Sequence, residues 1–80
     1  MPYRYTITSK GQDRYDDLQT EIRSGESVPY NVRLEQILLG TLSQDDLTFT
    51  QLRQASGLRR DELGDTLPVL LDKGYVSTLS

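Results

Sequence analysis

The sequence predicts a small α+β domain in the order strand, four helices, strand. Three observations point there. An alternating apolar stretch opens the chain and a Tyr-Val-Ser-Thr-Leu stretch closes it. Between them, apolar residues recur at helical spacing, and glycines or capping residues stand where each helix should begin or end. Eighty residues make one domain, near the lower limit for a single hydrophobic core.

Residues 1–24 read as a strand plus a helix. Tyr3, Tyr5 and Ile7 alternate with Arg4, Thr6 and Thr8, the period of a half-buried strand. Thr8 is placed to cap the following helix, with Ser9, Lys10 and Gly11 in its first turn. Tyr15, Leu18 and Ile22 then form one apolar stripe, and Gly25 suits the left-handed position beyond a helix end near Ser24. Residues 25–30, "GESVPY", are a linker turn that Gly25 starts and Pro29 restrains, with Tyr30 as a clamp. It is too short to separate two domains.

Residues 31–74 read as a three-helix unit. Leu34, Ile37, Leu38 and Leu42 set a stripe from about Asn31 to Ser43, and "SQDD" breaks it. Leu47 to Phe49 is a short extended piece. Thr50 is the expected N-cap of a short helix containing Leu52 and Ala55, which Gly57 ends. A third helix of this unit runs from about Arg60 to Lys73, with Leu63, Leu67, Leu70 and Leu71 on its apolar side and Gly74 at its end. Residues 75–80 are a closing strand, expected to pair antiparallel with Tyr3–Thr8. The expected core is Leu34, Ile37, Leu38, Leu52, Leu63, Leu67 and Leu70, closed on one side by Tyr15, Leu18 and Ile22.

Composition narrows the function. The chain has no cysteine and no histidine, so disulfides, thiol nucleophiles and imidazole bases are absent, as are most zinc or iron sites. No catalytic, metal or cofactor site is expected, and the chain does not read as an enzyme. Asp16-Asp17 are helix neighbours that diverge by ~100°, and Asp45-Asp46 decorate a turn. The longest apolar runs are far too short for a membrane span, and a cytoplasmic location is expected. Nine basic against twelve acidic residues give a net charge of −3, which does not attract polyanions in bulk. Tyr3, Tyr5, Tyr15 and Tyr75 read as a core rim with hydroxyls in water; the sharper alternative is a stacking or docking surface.

"LTFTQLRQASGLRRDELGDTLPVLLDKGYVSTL", residues 47–79, resembles the helix-turn-helix and first wing strand of a winged-helix domain. The opening "YRYTITSKGQDRYDDL" resembles the other end of that fold: the second wing strand, "TxKG", and the helix after it. The chain therefore looks like a winged helix cut at its wing tip, with the old ends joined through "GESVPY". Such permutation is physically cheap where termini lie close together. The alternative is an independent strand-helix arm used for dimerisation.

The resemblance implies a DNA-binding transcriptional regulator using the helix-turn-helix at 50–73. Its candidate nucleic-acid contacts are Arg53, Arg59, Arg60, Arg4 and Lys10. The residues themselves argue otherwise. The outward side of the 60–73 helix carries Asp61, Asp65 and Asp72 with Pro68 and Val69, and carboxylates neither donate to bases nor attract phosphates. That face, or the first helix, is the candidate docking surface of a regulatory or adaptor module acting through protein–protein contacts, as monomer or homodimer. Arg59 and Arg60 stand at a helix N-terminus, where with free backbone N–H groups they are able to hold a phosphate; the expected reading is that they pair with Asp61, Glu62 or nearby carboxylates on the surface. Pro68 presses its ring on the carbonyl of Gly64, so a kink is expected there.

Overall fold

The computed structural model describes residues 4–23 and 28–79. The expected roles of Tyr3 and Gly25, and the burial of Ile22, lie outside what it describes. The elements are β1 (Arg4–Ile7), α1 (Ser9–Arg23), α2 (Tyr30–Gln44), α3 (Phe49–Ser56), α4 (Arg60–Asp72) and β2 (Val76–Leu79). The fold is α+β, in the expected order.

β1 and β2 pair antiparallel, from Arg4 opposite Leu79 to Ile7 opposite Val76. The other edge of β1 is also occupied. The Tyr5 N–H donates to the Leu47 carbonyl at 2.7 Å, and the Leu47 N–H donates to the Tyr5 carbonyl at 3.1 Å. β1 thus lies between β2 and the short extended piece before α3. Alternation places Tyr5 in the core, while Arg4 stays in solvent.

α2 is the central element, packed against α1, α3, α4 and β1. Leu34, Leu38, Leu39 and Leu42 are buried on it, together with Leu18 of α1, Leu52 of α3, and Leu63, Leu67 and Leu70 of α4. Tyr5 and Val76 complete the core from the sheet, and Tyr15 and Tyr75 pack against it. Ile37 departs from expectation: it is half-buried, and Leu39 takes a core position in its stead. A helix with neighbours on several sides buries a wider arc than one stripe, and that arc here runs toward Leu39 and Glu35 rather than Ile37.

Among the described residues, Glu35 is the buried acidic side chain. Its carboxylate accepts from the Arg14 Nε at 2.9 Å, joining α1 to α2. The pair is lopsided, with side-chain exposure of 8% for Glu35 and 28% for Arg14. The bond to Glu35 holds the Arg14 guanidinium protonated even more firmly than usual.

The helix ends follow local chemistry. Thr8 caps α1, its hydroxyl accepting from the Gly11 N–H at 3.0 Å. The cap of α3 is Thr48, not Thr50. Thr48 Oγ1 accepts from the Gln51 N–H, and the Gln51 side chain accepts from the Thr48 N–H at 3.0 Å. This reciprocal pair needs Glu or Gln three residues beyond the cap. Thr48 has Gln51 there, whereas Thr50 has Arg53. Gly57 ends α3 with φ of 73°, and Gly74 follows α4 with φ of 78°, the left-handed region in which a side chain is strained. α4 continues through Pro68 as one helix.

Candidate functional site

Turning α4 at ~100° per residue separates two faces. Leu63, Leu67 and Leu70 are buried, and Asp61, Asp65, Pro68, Val69 and Asp72 on the opposite side are all exposed. Val69 is 48% exposed, an apolar side chain set among three carboxylates. The face predicted for docking is therefore assembled and open to solvent. It carries no lysine or arginine.

The five basic candidates are all exposed, but they do not share one setting. Arg59 leans on carboxylates, its Nε 3.7 Å from Asp61 Oδ1 and 3.4 Å from Glu62 Oε1. Such exposed pairs contribute little stability, ~0–1 kcal/mol. Lys10 Nζ lies 5.6 Å from the centre of the Tyr75 ring. Arg4 sits opposite Leu79 at the end of the sheet. Arg53 and Arg60 are the two that come together, lining a cleft of about 270 Å³ with Phe49 and Thr50. The expected pairing of Arg60 with a carboxylate is not found among the described residues, where Arg14 pairs with Glu35, and Arg59 with Asp61 and Glu62.

The start of α4 has a further contact that spacing along the chain does not show. Tyr30, the first residue of α2, is exposed, and its hydroxyl donates to Glu62 Oε2. Glu62 Oε1 also accepts from the Arg59 N–H at 3.0 Å. Tyr30 is thus a brace between α2 and α4 and not a clamp within a linker. The Tyr30 hydroxyl and the Arg59 backbone N–H hold the Glu62 carboxyl below its usual range. Its carboxylate in turn raises the Tyr30 phenol above its own.

A separate groove of about 570 Å³ is mainly apolar, lined by Tyr15, Ile37, Gly40, Leu47 and Ala55 with flanking polar side chains. Gly40 makes room for the Tyr15 ring, whose hydroxyl would lie 2.9 Å from any Cβ there. The tyrosines otherwise serve the fold: Tyr5 is buried, and Tyr15 and Tyr75 rim the core. Among the described residues, no cluster of three or more carboxylates is placed to hold a metal ion, and no helix is long and apolar enough to cross a membrane. No family model matches this chain, and no match was found among curated proteins or solved structures.

Proposed function

We propose that the chain is a small regulatory or adaptor module on a winged-helix-like scaffold, working through protein–protein contacts. The observation that carries this reading is the outer face of α4. Asp61, Asp65 and Asp72 stand in solvent beside Pro68 and Val69, and none of these five side chains is a hydrogen-bond donor. Brought to a DNA groove, that face would meet phosphates of its own sign. A basic partner segment fits it, with its charges over the aspartates and an apolar residue against Val69.

Two features support the permuted winged-helix part of the reading. β1 pairs with β2, as a wing strand would, and it also meets Leu47 in the short extended piece before α3. Thr8, Lys10 and Gly11 of "TSKG" all engage the Gly74–Tyr75 turn that leads into β2. The dimerisation-arm alternative has less support, because β1 pairs within its own chain.

The test compares the native chain with a triple variant, Asp61→Asn, Asp65→Asn and Asp72→Asn. A partner retained by the native chain and lost by the variant supports the docking face. A parallel selection from genomic DNA provides the opposing outcome. Preference for one sequence by ~10³-fold over random DNA would overturn the proposal in favour of a transcriptional regulator.

A further inference from the structure

We propose that the cleft between α3 and α4 is a binding site for a single phosphoryl group, a phosphomonoester or free phosphate. This goes beyond the docking reading and does not depend on it. The cleft of about 270 Å³ is lined by Phe49, Thr50, Arg53 and Arg60. Three of these four can donate hydrogen bonds, and two carry full positive charge. Paired guanidinium forks are the side chains best matched to phosphate oxygens, through charge-assisted bonds.

What marks the cleft is that its donors have no other task. Neither Arg53 nor Arg60 has a carboxylate partner among the described residues, although acidic residues outnumber basic ones in the chain. Arg59, next in sequence, shows the ordinary outcome by engaging two carboxylates. Thr50 would have spent its hydroxyl as a helix cap. Thr48 performs that role, and the Thr50 hydroxyl has no hydrogen-bond partner among the described residues. Arg60 is also poorly placed for helix stability, since it opens α4, where the macrodipole disfavours a cation. An anion in the cleft would relieve that repulsion.

The surroundings argue for one isolated anion over a polyanion. Asp61 follows Arg60 directly, and Asp65 and Asp72 extend the negative face along α4. A nucleic-acid backbone entering the cleft would have to continue past like charges. A terminal phosphate on a side chain or small molecule would not. A dianion also matches the two arginines in charge.

The test is a titration of the full chain with inorganic phosphate, followed by backbone amide and guanidinium NMR signals, with chloride keeping ionic strength constant. Expected are saturable shifts at Thr50, Arg53 and Arg60. Arg53→Gln and Arg60→Gln should each weaken binding about tenfold or more, as expected for losing a hydrogen bond to a charged group. Arg4→Gln, removing an exposed arginine on β1, should leave the affinity unchanged. A second arm uses a short blocked peptide containing phosphoserine, with its serine counterpart as control. Tighter binding of the phosphopeptide than of phosphate points to a phosphorylated protein segment, and equal binding to a small phosphorylated compound; either supports the site. Non-saturating shifts, or equal weakening by Arg4→Gln, would overturn it. Displacement of phosphate by a duplex oligonucleotide more effectively than by the phosphopeptide would also overturn it, in favour of nucleic acid. The triple aspartate variant should keep the phosphate site, so loss of the docking face and loss of this site are read separately.

Discussion

Two regions of the molecule use nearly the same residue types for opposite ends. Where α1 begins, a threonine, a lysine and a glycine press against the Gly74–Tyr75 turn. Where α3 and α4 begin, a threonine and two arginines surround an open cleft. In the first region each polar group has a partner. The Thr8 hydroxyl accepts from Gly11 and donates to the Gly74 carbonyl at 2.6 Å, the Thr8 N–H donates to the Tyr75 carbonyl at 3.0 Å, and Lys10 lies over the Tyr75 ring. In the second, the Thr50 hydroxyl and both guanidiniums have no protein partner among the described residues. Groups that hold a fold together satisfy one another; groups left unsatisfied and accessible are the ones free to meet a ligand.

The largest effect should come from neither region but from the shared core that supports both. Leu67 is 2% exposed on the inner face of α4. Leu67→Ala should cost about 2–5 kcal/mol, read from the urea midpoint, a large share of a small domain's stability. An unchanged midpoint would mean that the two faces of α4 are assigned the wrong way round.

Gly11→Ala sharpens the comparison more directly. In an ordinary helix this change stabilises by up to ~1 kcal/mol. Here the new Cβ would lie 2.0 Å from the Tyr75 carbonyl oxygen and 2.9 Å from the Ile7 side chain, so backbone must move. A net loss of about 1–3 kcal/mol is expected, the usual range for overpacking. Stabilisation by this variant would show the α1 junction to be as open as the cleft.

Thr8→Val keeps the shape and removes the hydroxyl that serves both α1 and the turn. About 0.5–2 kcal/mol should be lost, as for other N-caps. The matching change in the cleft, Thr50→Val, should fall within about 0.5 kcal/mol of the native chain, because that hydroxyl caps nothing. Equal losses from the two would erase the distinction between them.

The smallest effect concerns the brace at α4. Tyr30→Phe removes a hydroxyl that favours the ionised Glu62, so the Glu62 pKa should rise toward its ordinary value. The sign follows from linkage. A depressed carboxyl stabilises the fold above its unfolded pKa, and that contribution disappears as pH falls through the folded one. Native chain and variant should therefore differ at neutral pH and converge in acid. A carbon-13 titration of the Glu62 carboxyl that shows no rise would remove Tyr30 from the brace.

Much of the fold was legible because it rests on local signals. Alternation around Tyr5 marked the inward face of β1, Gly57 and Gly74 marked helix ends, and leucine spacing phased α4. The α3 cap went astray by two residues because two threonines flank Phe49, and only the Thr48–Gln51 pairing separates them. Leu39 and Glu35 lie beside a good apolar stripe, and their burial depends on how many neighbours surround α2, which no single helix encodes. A glutamate amid Leu34, Ile37 and Leu38 was the one available hint of a buried partner. Its arginine lies on a different helix.

The outer face of α4 was equally readable, since one helix turned about its axis presents Asp61, Asp65 and Asp72 together. The cleft was only half readable. Arg53 and Arg60 were visible as basic residues near a turn, but their meeting around Phe49 and Thr50 depends on the angle between two helices. Tyr30 and Glu62 meet across a sequence separation of 32, where no periodicity connects them.

The sheet also sets the order in which the molecule can assemble. The Thr8–Gly74 bond joins positions 66 apart in sequence, and the β1–β2 ladder closes beside it. Closing so long a loop carries an entropic cost that short-range contacts avoid. The helices from α2 to α4, linked by short turns, can collapse around Leu38 and Leu52 first, leaving β1 and α1 to dock afterwards. Defects at the Thr8–Gly11 junction should then accelerate unfolding far more than they retard folding. In a chain built this way, the strand and helix that precede α2 in sequence are the last to find their place.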